Sequence, residues 1–219
     1  MSSDRPAPLI VLAGPSGSGK TTVVDRLLAT TALPIRRAIT ATSRPPRPGE
    51  IDGVHYHFWT PEVFERNIAA GEMLEHARVH GRDYYGTPFA EVRAIRESGS
   101  AAILVIDVQG AEQVRRACPE GLVTVFLMPP VFGDLAERLR KRGEPEGTIS
   151  RRLESAVREA ARMGEFDRAL VNADADSAAR ELESIVAEQL SPTGSPACSS
   201  NLRKKRSSTK WGGGSSSPP

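Results

Sequence analysis

The chain has 219 residues, 39% hydrophobic and 26% charged, ordinary fractions for a soluble globular protein and enough chain for one domain with insertions. No window approaches ~18 uninterrupted apolar residues, and Met1 to Pro8 holds no apolar leader segment, so neither a membrane span nor a secretory signal is expected and a cytoplasmic protein is. Formal net charge is +2, but five basic residues and no acid follow Ser191, which leaves 24 basic against 27 acidic residues before it.

The first apolar run, Leu9 to Ala13, predicts a buried strand. Directly behind it stands Gly14-Pro15-Ser16-Gly17-Ser18-Gly19-Lys20-Thr21, a complete G-x-x-x-x-G-K-[ST] phosphate loop, and then a helical pattern from Lys20 to Ala29. Strand, glycine turn and helix start in that order are far more specific than the string alone. The glycines let backbone N–H groups curl around phosphate oxygens, and the helix start adds its positive dipole end. Lys20 is expected on the β and γ phosphates, the Thr21 hydroxyl on Mg²⁺, and Gly14 through Thr22 form the expected ATP-binding set. Composition supports Lys20 independently: of 5 Lys in the chain only Lys20 and Lys141 precede the tail, against 24 Arg overall, so a compact ammonium is kept where one is wanted.

Between Ile39 and Gly86 the pattern turns short, polar and aromatic, with Pro45, Pro46 and Pro48 marking a turn; a small sheet inserted into the core is expected over about 39–87. A helix is predicted inside it over Pro61 to Ala70, opened by Thr60, and another after it over Pro88 to Glu97, opened by Thr87. Arg44 and Arg47, three apart in the stiffened loop, can present forked donors to a dianionic phosphate, completed by the hydroxyls of Tyr56 and Tyr85. The four histidines, His55, His57, His76 and His80, lack the further ligands a metal site needs.

Further apolar runs predict strands over Ala102 to Asp107, Val123 to Met128 and Ala169 to Asn172. Helices follow over Gly110 to Ala117, Phe132 to Arg142, Thr148 to Met163 and, opened by Asp176, Asp176 to Leu190. Near-continuous apolar strands alternating with helices predict an α/β fold, a three-layer α/β/α core with a parallel sheet. Asp107, closing its run, stands where ligands bind in such sheets and can orient Mg²⁺ through water. Cys118 and Cys198 have neither metal nor redox spacing. From Ser191 to Pro219 the chain is Ser, Gly and Pro around Arg203-Lys204-Lys205-Arg206, a tail expected to be disordered and to bind no specific nucleic acid.

Thr40 through Glu50, Gly53 through Phe58, Gly71 through Glu75, Tyr84 through Thr87, Asp107-Val108-Gln109-Gly110 and Arg138 through Arg152, in that order behind the phosphate loop, resemble the signature of the guanylate kinases. The resemblance covers residues 8 to 190. It implies transfer of the ATP γ-phosphoryl group to GMP, with dGMP as a further acceptor. It also implies three parts: a core over 8–38 and 88–190, a GMP-binding insert over 39–87, and a helical lid over 138–155. Carried over residue by residue, it implies that Arg44, Arg47, Tyr56 and Tyr85 hold the GMP phosphate. Glu75 reads guanine with Thr40 and Thr87 beside it, and Gly86 and Asp107 complete the GMP set. Lys20, Arg44 and the lid arginines Arg138, Arg142 and Arg152 are the implied catalytic set, and Asn172 matches a position beside the adenine. Val105 departs from the family, which often carries an acid there. Two other readings remain open: a kinase of the same core acting on another phosphorylated acceptor such as ribose 1,5-bisphosphate, and a non-catalytic binding module. The first has little use for Glu75 with Thr40 and Thr87, the second little use for a phosphate cradle.

Overall fold

Every residue of β1 (Leu9–Ala13) is buried, because the strand has a neighbour on each edge and a helical layer on each face. In the computed structural model, which describes residues 6–79, 81–130, 136–137, 140, 143 and 145–191, β1 is followed by α1 (Lys20–Thr30), β2 (Ile35–Arg37), β3 (Ala41–Thr42), β4 (His57–Phe58) and α2 (Pro61–Ala69). Then come β5 (Met73–Val79), β6 (Asp83–Pro88), α3 (Phe89–Glu97), β7 (Ala101–Val105), α4 (Val108–Ala117), β8 (Leu122–Met128), α5 (Glu146–Ala161), β9 (Arg168–Val171) and α6 (Ala175–Leu190). Five strands form a sheet in the order β2-β7-β1-β8-β9, all pairings parallel.

Alternation along the strands splits the core in two. Ile10 and Leu12 of β1 with Ile103 of β7 face α1 and α6, packing on Val23, Val24, Leu27, Leu182 and Val186. Leu9, Val11 and Ala13 with Ala102 and Leu104 face α3 and α4, packing on Val92, Ile95, Ala111 and Val114. This is the expected three-layer α/β/α arrangement. A second sheet, β4-β3-β6-β5, carries its own small core of Ala41, Phe64 and Met73, where the Phe64 ring stacks on Tyr84 at 5.2 Å.

The strand β2 escapes the sequence reading because it is an edge strand of three residues, two of them exposed arginines. Two predicted caps move. Thr60 caps α2, its hydroxyl accepting from the Val63 N–H at 3.3 Å, but α6 is capped by Asp174 rather than Asp176, and α3 starts behind Pro88 with no side-chain cap. The β7 strand stops at Val105, so Asp107 is not a strand residue; it is the cap of α4. Of the helix predicted over Phe132 to Arg142 only residues 136, 137 and 140 are described, and these are helical; the rest of it and the tail from residue 192 onward lie outside the described residues. Among the described residues no helix is long and apolar enough to cross a membrane.

Leu12 is fully buried in the centre of the sheet, so Leu12→Ala leaves a cavity facing α1 and α6. Urea unfolding is expected to show a loss of about 2–5 kcal/mol; a loss under about 1 kcal/mol would contradict the packing described.

Candidate active site

The phosphate loop turns against the neighbouring strand. Gly14 has φ 141°, and a Cβ there would lie 2.3 Å from the Leu127 carbonyl oxygen, so only glycine fits. Gly19, also at positive φ, starts α1 without a side-chain cap, which leaves the first-turn N–H groups of the helix directed into the loop. Beneath it the buried Asn172 carboxamide donates to the Ser18 carbonyl at 2.7 Å, and its Nδ2 lies 2.3 Å from where a Gly19 Cβ would be. Asn172 thus sits under the loop and ties it to the end of β9. The Lys20 ammonium donates to the Gly14 and Pro15 carbonyls at 2.5 and 2.9 Å. Crowding by protein pushes its pKa down to about 8, against the pull of the Glu159 and Asp107 carboxylates. Ser16, Thr21 and Thr22 are exposed around this turn, and Ser18 Oγ is buried with no hydrogen-bond partner among the described residues.

Asp107 Oδ1 accepts from the Gly110 N–H at 2.7 Å, the capping bond of α4. The cap orients the carboxylate at the mouth of the sheet, and its charge is felt by Lys20, Glu75 and Glu159. Cap and ligand are compatible roles, since a carboxylate has a second oxygen.

Opposite the phosphate loop, a cleft of about 720 Å³ is lined by Thr21 and Asp25 of α1, by Arg37 through Thr40, by Val105, and by Glu50 and Gly53 through Tyr56 of the insert. Arg44, 9% exposed, is already engaged: Nη1 and Nη2 form a two-pronged pair with Glu50 at 2.6 and 2.7 Å, and Nε donates to the Tyr85 hydroxyl at 3.1 Å. Its guanidinium lies 5.1 Å over the Tyr56 ring. Arg47 is exposed at the tip of the same loop.

Glu75 is 6% exposed on β5, and its Oε1 accepts from the Thr87 hydroxyl at 2.7 Å. The hydroxyl read in the sequence as a helix cap serves this carboxylate instead. Burial pushes the Glu75 pKa up to about 7; the Thr87 bond opposes this and Asp107 reinforces it. Two residues of α4 set its position. Gly110 has no Cβ, which would lie 3.1 Å from Glu75 Oε2, and the Gln113 carboxamide clasps the backbone of His76, accepting its N–H at 3.1 Å and donating to its carbonyl at 3.0 Å. Because β5 is an edge strand, this clasp supplies pairing that no further strand supplies. Gly86 permits the close crossing of β5 and β6, since a Cβ there would meet the Glu75 carbonyl oxygen at 2.4 Å. Thr40 lines the cleft half-buried, as does Val105.

From the far side, Arg152 of α5 donates to Ser16 Oγ at 3.3 Å, so the first half of that helix reaches the phosphate loop. Two turns on, Glu159 accepts from Ser155 Oγ at 3.0 Å and shares a cleft of about 210 Å³ with Asp107. Arg138 and Arg142 lie outside the described residues. The structure brings together Lys20, Asp107, Glu75 and Arg152 with their elements around one edge of the sheet. Gln113, Glu50 and Glu159 were not singled out from the sequence. Only Glu50 left a trace there, as the one acid in a loop of Arg and Pro.

A family model described as guanylate kinase matches residues 6–189. A guanylate kinase of Leifsonia xyli subsp. xyli is 43% identical over 185 residues, 84% of this chain and 72% of that protein. One of Latilactobacillus sakei subsp. sakei is 44% identical over 179 residues, 81% of this chain and 87% of that protein. A crystal structure of guanylate kinase from Anaplasma phagocytophilum superposes with a TM-score of 0.69 at 31% identity, covering 86% of this chain and 89% of that one.

The raised pKa of Glu75 sets a sign for stability. The unfolded carboxyl loses its proton near 4.5 and the folded one near 7, so between them the folded state binds more protons and stability falls as pH rises. Glu75→Gln removes that loss while keeping a partner for Thr87. Its stability relative to the unaltered chain is expected to rise by about 3 kcal/mol between pH 4.5 and 7, measured by denaturant unfolding across that window. A difference independent of pH would contradict the burial of an ionisable Glu75.

Proposed function

Because the chain belongs to the guanylate kinase family, we propose that it transfers the γ-phosphoryl group of ATP to GMP, giving ADP and GDP, in the cytoplasm. One observation carries this reading: a single cleft is walled on one side by the phosphate-loop helix and on the other by the insert loop of Glu50 and Tyr56. A donor and an acceptor nucleotide can therefore meet head to head. Gly14 through Thr22 take the ATP phosphates, Lys20 exchanging its bonds to loop carbonyls for bonds to phosphate oxygens. Asn172 acts on ATP by holding the loop from below.

On the acceptor side, Arg44, Arg47, Tyr56 and Tyr85 receive the GMP phosphate. The Glu75 carboxylate accepts from the N1–H and 2-amino edge of guanine, an edge adenine does not offer, with Thr40, Thr87, Gly86 and Asp107 around the base. Its buried setting makes an unmatched partner unfavourable, which turns the contact into discrimination. Arg138, Arg142 and Arg152 add positive charge from a lid over 138–155, whose closure excludes water. Phosphoryl transfer spreads charge over three oxygens, so positioned cations suffice and no covalent intermediate is required.

Thr21 and Asp107 offer hydroxyl and carboxylate oxygen, the hard donor set Mg²⁺ takes, at the start of α1 and the cap of α4. Thr21 and Asp107 would hold Mg²⁺ bound with ATP, which would neutralise phosphate charge there.

A coupled assay for ADP release with GMP, dGMP, AMP and ribose 1,5-bisphosphate tests the reading. Turnover is expected with GMP and dGMP; turnover with the sugar alone, or with no acceptor, would overturn it. Lys20→Ala is expected to lower kcat by at least about 100-fold with an unchanged circular dichroism spectrum. Unchanged kcat would contradict the role of the ammonium.

A further inference from the structure

Glu50 is assigned no contact with substrate itself, yet it holds two of the residues assigned to the acceptor phosphate. Its carboxylate takes both prongs of the Arg44 guanidinium, at 2.6 and 2.7 Å, and also accepts the Arg47 backbone N–H at 2.7 Å. Arg44 further donates from Nη1 to the Pro45 carbonyl at 2.9 Å and from Nε to the Tyr85 hydroxyl at 3.1 Å. A guanidinium has five N–H groups, and four are used in this way. The fifth, on Nη2, has no protein acceptor among the described residues. The two hydrogen bonds to Glu50 fix the plane of the guanidinium beside the rings of Tyr56 and Phe58, whose centroids lie 5.1 and 5.6 Å from its central carbon and 5.8 Å from each other.

The consequence reaches Tyr85. A phenolic hydroxyl has one proton and two lone pairs, and here a lone pair is filled by the Arg44 Nε–H. Its own proton is thereby turned away from Arg44 and left to donate. We propose that Glu50 is a positioning residue for the acceptor phosphate: by holding Arg44 flat it aims the free Nη2 N–H and the Tyr85 O–H at one phosphate. This rests on the reading of Arg44 and Tyr85 as phosphate ligands. The Arg44 and Arg47 hydrogen bonds hold the Glu50 carboxyl down to about 2, so it is anionic across the working range of pH.

The sign of the mutational effect decides the matter, because a carboxylate beside a phosphate also repels it. If Glu50 only occupied the site of the phosphate, Glu50→Gln would free donors, remove a like charge and tighten GMP. If it positions, the same change lets Arg44 rotate and weakens GMP. Steady-state kinetics of Glu50→Gln are expected to show KM for GMP raised by about tenfold or more with KM for ATP within about twofold. Guanosine, which lacks the phosphate, is expected to compete with GMP for both forms with the same inhibition constant. Glu50→Asp, which keeps the charge with a shorter reach, is expected to shift KM for GMP in the same direction by less, and serves alone if the Gln variant does not fold. An unchanged or lowered KM for GMP, or equal weakening of guanosine, overturns the proposal while GMP turnover by the unaltered chain leaves the kinase reading standing. No GMP turnover by the unaltered chain overturns both.

Discussion

Parallel pairing of β1 with both β7 and β8 brings three strand ends to one edge of the sheet, and the chain leaving β1 has to turn hard against the Leu127 carbonyl to continue. That close approach is available only to Gly14, and it opens the loop that ends in α1. The ends of β7 and β9 then supply what stands beside the loop: Asp107 two residues beyond β7, and Asn172 directly after β9. The insert is hung from the same region, between β2 and α3, and its loop residues Glu50 and Gly53 through Tyr56 face α1 across the cleft. Remove the parallel register and the phosphate loop, the capped acid and the insert no longer share an edge.

Burial then sets the electrostatics. Lys20 and Glu75 both have their charged forms disfavoured by surrounding protein, one pKa pushed down to about 8 and the other up to about 7. On the proposed reading each gains a partner that a nucleotide brings: phosphate oxygens for the ammonium, a pair of N–H donors for the carboxylate. Arg44 follows the opposite plan. Its charge is matched beforehand by Glu50, which trades strength for a fixed direction. The site combines two charges disfavoured by burial with an ion-paired one whose direction is fixed.

How much of this was legible in the sequence follows from how local each cause is. The phosphate loop could be read directly, because a strand, its glycines and Lys20 are contiguous and their geometry is self-contained. The strands β1, β7, β8 and β9 could be read because burial on both faces leaves apolar runs. β2 could not, since an edge strand with Arg36 and Arg37 carries no such run. Thr87 looked like a cap because hydroxyls before helices usually are caps; only the pairing of β5 with β6 brings it to Glu75. Gln113 acts on His76, 37 residues away, and Glu159 reaches the surroundings of Lys20 from the far end of α5. Contacts of that span leave no periodicity or spacing to read.

On the proposed reading, the buried Glu75 carboxylate accepts from two adjacent N–H donors on the acceptor base. Inosine monophosphate keeps N1–H and lacks the 2-amino group, so it alters one of those donors and nothing at the phosphate. The ratio of kcat/KM for GMP to that for inosine monophosphate is the direct measurement. Loss of one hydrogen bond to a buried carboxylate predicts a preference for GMP of roughly 10- to 100-fold. Equal kcat/KM for the two acceptors would contradict it.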